Sequence, residues 1–259
     1  MQAVAEYASR SATLRQPSNY QVTLASSECD ILAAQELRFQ VFNLELNEGL
    51  AHSYTSGLDQ DPFDPICDHL LVRYLPTNQV IGTYRLQTGP AAANGRGYYS
   101  EQEFDLSPFV SVRNQIIELG RACVHRSHRN MSTLNLLWKG IANYARQHGA
   151  NYLLGCSSLT SQDPKVGASA YADLSRYHLA SPEFQTHPWP ACECPMDNLA
   201  PTPQELPRLL RAYLTVGAKI CGTPAIDRDF GTIDFLTILD LNQMHPAARS
   251  KFFGDTGRR

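Results

Sequence analysis

Residues 115–156 constrain the fold of this chain more than any other stretch. Gln115–Val124 (QIIELGRACV) has the apolar, β-branched character of a core strand. It runs into a basic turn, HRSHRN, and then into a helix over about Ser132–His148. Leu134, Leu137, Trp138, Ile141 and Ala145 fall on one face of that helix at i, i+3, i+4, i+7 spacing. Ser132 reads as its N-cap and Gly149 as its stop. Tyr152–Cys156 (YLLGC) is the next strand. Strand, crossover helix and strand make a β-α-β unit, which requires parallel neighbours and a right-handed connection.

The flanking text reads as further layers of the same domain. Tyr20–Ala25 alternates as a first strand, and Cys29–Leu46 has a helical period that Ser27 or Asp30 can cap. Asp68–Leu75 and Gln79–Gln87 form a hairpin around Pro-Thr-Asn. Ser169–His178 and Pro203–Val216 read as helices, and Ala218–Ile226 and Gly231–Leu241 as late strands. The expected organisation is a polar leader (1–18), one α/β domain (19–245) with a long insertion at about 160–204, and a polar tail (246–259).

Charge is unevenly placed. The chain of 259 residues has a formal net charge of −3. Arg113–His148 holds six basic residues against the single acid Glu118, so this window is +5 and the remainder is −8. Such a protein is a poor general nucleic-acid binder but offers a local socket to an acidic partner. Neither a secretory h-region nor the roughly 18 uninterrupted apolar residues of a spanning helix is visible. The expectation is a cytoplasmic protein whose membrane role is limited to peripheral contact with the inner face. Seven cysteines without a framework read as buried thiols in a reducing compartment. Cys192 and Cys194 form a C-x-C, but no second pair at ligand spacing accompanies it, so no metal site is expected.

Glu118 sits in the middle of an apolar strand, where a carboxylate needs a partner or a task. Two readings stand: an ion pair with Arg121, Arg85 or Arg38, or a general base with a raised pKa. Strand alternation puts Glu118 and Gly120 on one face and Leu119 and Arg121 on the other. The following turn precedes a helix N-terminus, where free N–H groups favour an anion. Arg126, Arg129, His125 and His128 add donors there, and a pyrophosphate or phosphopantetheine phosphate suits such a site.

These residues resemble a known family. The strand ending ELGR, the basic turn, LLWKGIANY and LLGCSSL are similar to the acyl-carrier-protein-dependent branch of the GNAT acyltransferases. With RFQVFNLE, DPFDPICDHLLV, VIGTYRL, YYSEQEFDL and PAIDRDFGTIDFL, they resemble most the bacterial ornithine lipid N-acyltransferases, also called haemolysin-like proteins. The resemblance spans about 30–245. It implies a GNAT-like mixed, largely antiparallel sheet with a central parallel β-α-β unit and flanking helices. Acyl-homoserine-lactone synthases share the skeleton more distantly. Their pattern falls here on Arg38, Phe42, Asp61, Asp64, Arg85, Glu118 and Arg121, while Glu48 stands near the place of their usual tryptophan.

The resemblance also implies a reaction. An acyl group, commonly 3-hydroxylated, would pass from the thioester of an acyl carrier protein to the α-amine of an amino acid, most simply ornithine. No tightly bound cofactor or metal is needed, since acyl-phosphopantetheine is the donor. Glu118 and Arg121 would be catalytic, Glu118 as base directly or through a water, with a backbone N–H around Gly120–Cys123 facing the oxyanion. Arg126, Arg129, Asn130, Met131 and Ser132 would hold the donor's phosphate. Asp61 and Asp64 would take the second ammonium of the amino acid, and Arg38 or Arg85 its carboxylate. Phe42, Tyr98, Tyr99 and Phe104 would line the acyl chain. The alternatives are another amino acid as acceptor, or a carrier-binding module without turnover.

Overall fold

The central strands are near-continuous buried runs, as in Val80–Gln87 and Thr232–Leu239, so both faces of the sheet must be covered. A computed structural model describes residues 19–200 and 205–254. The elements are β1 (Tyr20–Leu24), α1 (Glu28–Phe39), α2 (Ser53–Ser56), β2 (Asp68–Tyr74), β3 (Gln79–Thr88), α3 (Gly89–Asn94), β4 (Ile116–Val124), α4 (Met131–Gln147), β5 (Tyr152–Leu159), α5 (Pro164–His178), α6 (Arg208–Val216), β6 (Lys219–Ile220), β7 (Ala225–Asp227), β8 (Thr232–Asp240) and α7 (Pro246–Phe253). Helix α1 continues as a π-helical stretch, Gln40–Glu45. The strands lie in the order β1-β2-β3-β4-β5-β8-β6, with β7 also paired to β8. Every pairing is antiparallel except β4 with β5, the parallel pair that the β-α-β unit requires.

Helix α4 packs Leu137, Trp138 and Ile141 on one face of the sheet, against Ile117, Leu119 and Leu153. Helix α1 covers the other face, packing Ala34, Leu37 and Val41 on Leu71, Val80 and Cys123. The segment between β3 and β4 completes that face with Tyr98, Phe104 and Phe109, against Ile116, Leu154 and Leu236.

Several expected boundaries move, each for a local reason. Asn130, not Ser132, caps α4: its side chain accepts from the Thr133 N–H at 3.0 Å, so the helix starts a residue earlier than Ser132. Helix α5 starts at Pro164, because Asp163 caps it. Its Ala170 and Leu174 pack on Ile220, Ile233 and Phe235, so much of the supposed insertion belongs to the core. The tail is not merely polar. Helix α7 packs Ala248, Phe252 and Phe253 on the core, and Phe252 stacks on Trp138 with ring centroids 5.5 Å apart. The leader 1–18 and residues 201–204 lie outside the described residues. Among the described residues no helix is long and apolar enough to cross a membrane.

Two irregularities of β4 set the geometry around its middle. First, Arg85 pairs with Gly120 and Thr83 with Cys123, so Arg121 and Ala122 together oppose Tyr84. This is a β-bulge, and Arg121 takes φ +50° within it. Second, β4 and β5 pair only from Ile116–Glu118 to Tyr152–Leu154 and then part as a fork.

Candidate active site

The bulge overturns the simple alternation at Arg121. The extra residue rotates its side chain onto the α1 face, beside Glu118 rather than opposite it. There the guanidinium lies over the rings of Tyr99 (4.6 Å) and Phe230 (4.4 Å). It also pairs with Asp59 at 3.3 Å and Asp61 at 3.0 Å.

Those contacts belong to a closed ionic lattice. Arg38 pairs with Asp59 at 2.8 Å and Asp64 at 2.7 Å. Arg85 pairs with Asp61 at 2.6 Å and Asp64 at 3.1 Å. Three guanidiniums thus meet three carboxylates, with Arg38 fully buried and Arg85 3% exposed. Burial alone would raise the carboxyl pKa of Asp61 and Asp64, but the neighbouring arginines outweigh it and hold both below the usual carboxylate range. The substrate contacts expected of Arg38, Arg85, Asp61 and Asp64 are therefore taken up inside the protein. These residues tie α1 and the 59–64 loop to β3 and β4. Asp59, which pairs with both Arg38 and Arg121, completes the lattice.

Glu118 pairs with none of the three arginines. It is buried, and its Oε2 accepts from the Tyr99 N–H (2.7 Å) while Oε1 accepts from the Ser100 N–H (2.8 Å) and hydroxyl (2.5 Å). The carboxylate thereby holds the start of a 3-10 turn, Tyr99–Gln102. Desolvation pushes its pKa up, against these hydrogen bonds.

The fork holds a small, half-open cleft. Leu119, Trp138, Leu153 and Tyr213 line it from the α4 face, and Leu154 and Cys156, whose side chains belong to the α1 face, also border it. Trp138 packs in the core, as its place on the apolar helix face implies, and also borders this cleft. The four aromatic residues expected to line an acyl chain are elsewhere. Tyr98 and Phe104 are each 1% exposed in the core, Phe42 packs on Phe230, and Tyr99 stacks beside Arg121.

Beyond the fork the site is acidic. Glu103 and Asp234 stand with Cys156, their ligand atoms within 4.8 Å of one another. Burial first, then Asp234 and Asp227, push Glu103 well above its ordinary value, while burial and Asp227 carry Asp234 to about 6 against lowering hydrogen bonds from Ser158 and Thr232. Glu48, where the related pattern has tryptophan, accepts from the Thr160 hydroxyl and is also raised by burial and by Asp234. Sequence reasoning missed Glu103 and Asp234, although Asp234 lies mid-strand in TIDFLTILD, the same signal that singled out Glu118.

At the basic turn, Arg126 is exposed and has no ion-pair partner among the described residues. Arg129 differs: it donates from Nε to the Val124 carbonyl at 2.8 Å and forks onto Glu45 through both terminal nitrogens. Met131 and Ser132 are exposed in the first turn of α4. Cys192 and Cys194 turn to different carbonyls, of Gln102 and Pro164, so the C-x-C is not one ligand pair.

Comparison with known proteins agrees with this fold. The profile of the Acetyltransferase (GNAT) domain matches residues 37–139. The L-ornithine N(alpha)-acyltransferase of Brucella abortus is 33% identical, over 92% of this chain and 90% of its own. That of Agrobacterium fabrum is 32% identical, over 91% and 85%. Among solved structures, the acyl-homoserine-lactone synthase LasI superposes with a TM-score of 0.52 at 13% identity, covering 91% of this chain and 95% of its own. The N-acyl amino acid synthase FeeM, from uncultured soil microbes, gives 0.52 at 9%, over 86% and 92%. These two share the fold, whereas the curated relatives match along nearly their whole length: the chain is a GNAT acyltransferase and belongs to the family of the L-ornithine N(alpha)-acyltransferases.

Proposed function

We propose that this enzyme transfers a fatty acyl group from the phosphopantetheine thioester of an acyl carrier protein to the α-amine of ornithine. The observation that carries the reading is the cleft through the fork, which joins an apolar wall at Trp138 and Tyr213 to the acidic face at Cys156. An acyl thioester entering from the α4 side would bring its carbonyl to the bulge at Arg121–Ala122. A strand N–H left outside the ladder there is the kind of donor that stabilises a tetrahedral oxyanion. The phosphate of the arm would lie against Arg126 and the first-turn amides of α4, Met131 and Ser132, beyond the Asn130 cap. An acidic pocket suits an amino acid with two ammonium groups better than a neutral or acidic one. Glu118 acts here by holding the Tyr99–Gln102 turn. An N-acylated product would leave by contact with the membrane surface.

The test is purified protein with 3-hydroxyacyl carrier protein and a panel of amino acids, read by mass spectrometry. The expected product is Nα-acylornithine with release of the free carrier thiol. Acylation of another amino acid in preference would change the acceptor, and no amide with any of them would overturn the reading.

A further inference from the structure

Two carboxylates stand outside the ionic lattice and beside the fork. Glu103 follows the 3-10 turn that Glu118 holds, and Asp234 projects from β8 on the face it shares with Leu236. Each is 4% exposed. Glu103 Oε2 and Asp234 Oδ1 are buried and find no hydrogen-bond donor among the described residues. Two buried acceptors this close, with Cys156 Sγ as their neighbour, call for a shared proton or a cation bearing N–H donors. The nearest guanidinium, Arg121, is committed to Asp59 and Asp61. Cys156 belongs both to this group and to the cleft lining, one residue past Gly155 where β4 and β5 separate. The orphan oxygens therefore adjoin the place where a thioester in the cleft would be attacked.

We infer that Glu103 and Asp234 together seat the reacting α-ammonium of the amino-acid substrate and take its proton before attack. The inference rests on the proposed function, in which an amino-acid amine is acylated. Of the three ammonium protons, one passes to the acid pair, freeing the nitrogen lone pair. Nitrogen then bonds to the thioester carbon and the C–S bond breaks. A second proton goes to the departing thiolate, the third stays on the amide, and the acid pair returns its proton to solvent. The pair is built to hold a proton: burial and mutual repulsion disfavour two charges, Asp227 on β7 and Glu48 add negative field, and Cys156 and Cys192 lie close, while Arg121 and the hydrogen bonds from Ser158 and Thr232 to Asp234 oppose.

The test compares wild type with Glu103→Gln, Asp234→Asn and Asp234→Glu, using ornithine and norvaline, which has the same α-amine and no terminal one. Glu103→Gln and Asp234→Asn are expected to lower kcat roughly 100-fold or more with both amino acids, as for loss of a general base. Their kcat/KM should lose its acid limb and recover toward wild type at high pH, where the amine is already free. Asp234→Glu should restore part of the rate. Variants within threefold of wild type, with an unchanged pH profile, would overturn the inference and leave the acyl-transfer reading intact. So would a loss confined to ornithine, which would assign the pair to the terminal ammonium. Loss of wild-type activity to a chelator, restored by zinc, would also overturn it in favour of a metal. A wild type that acylates no amino acid would overturn the inference together with the proposed function. If one variant melts well below wild type, high-pH recovery in the other decides.

Discussion

The α-carbon of Gly155 lies so close to Leu119 that a Cβ there would overlap the Leu119 carbonyl oxygen. This is the last close approach of β5 to β4 before the fork, and only a residue without a side chain permits it. Gly155→Ala must push the strands apart at the root of the cleft. It is expected to lower thermal stability and cut kcat/KM at least tenfold. Gly120→Ala, with open space around its Cβ, is the stability control and should melt near wild type. Equal melting of the two variants would deny that the approach matters.

Glu118→Gln replaces one acceptor oxygen by an amide that faces the N–H groups of Tyr99 and Ser100. Leaving one such buried donor unpaired costs about 1–3 kcal/mol. The expected result is a measurable fall in denaturant midpoint together with a rate loss above tenfold, because the turn carries Tyr99 and Glu103. Normal turnover in a destabilised variant would separate the turn from the reaction.

The ionic lattice gives a stability prediction with a definite sign. Removing Asp64 leaves Arg38 and Arg85 short of a counter-charge, and breaking a buried pair costs about 3–5 kcal/mol. Asp64→Ala should therefore unfold at clearly lower denaturant than wild type. Because the folded pKa values of Asp61 and Asp64 are lowered, their stabilisation is present above the ordinary carboxylate pKa of about 4 and is lost as pH falls through the folded values. Denaturant midpoints taken downward from pH 5 should drop more steeply in wild type than in Asp64→Ala. Parallel slopes would contradict the assignment.

At the basic turn the two arginines should separate. Arg126→Glu acts on an exposed, unpaired charge, and should weaken carrier-protein binding about tenfold at low salt and much less at 0.5 M. Arg129→Glu also faces Glu45 and loses the bond to the Val124 carbonyl, so part of its effect should persist at high salt. Binding isotherms at the two salt concentrations distinguish them. Unchanged affinity for Arg126→Glu at low salt would put the docking surface elsewhere.

The β-α-β unit was legible because its signals are local: an apolar strand, a polar turn, a helical stripe and a stop glycine follow one another within 42 residues, 115–156. The side-chain direction at Arg121 was not, because alternation counts residues and a bulge adds one without any mark in the sequence. Arg38, Asp61, Asp64 and Arg85 were legible as a constellation, but not as mutual partners. Charged residues look alike whether they await a ligand or one another, and only the fold brings position 38 to 59 and 64. Glu103 and Asp234 are 131 positions apart, and their meeting depends on β8 entering the sheet beside β5. Trp138 fits the helical stripe as well as any core residue, and the sequence holds no sign that the strand beneath it parts from its neighbour.

The lattice of Arg38, Asp59, Asp61, Asp64, Arg85 and Arg121 also bears on how the acceptor side forms. Its members come from a helix, a loop and two strands. Any subset brought out of water alone would strand an uncompensated charge, so partial assembly is penalised at every stage. The contacts are non-local, and none is rewarded until β4 has closed on β3. The acceptor side should therefore appear as a single cooperative unit during folding and come apart as one. Hydrogen exchange across α1, the 59–64 loop and the middle of β4 should then share a common opening free energy, distinct from that of the α4 side.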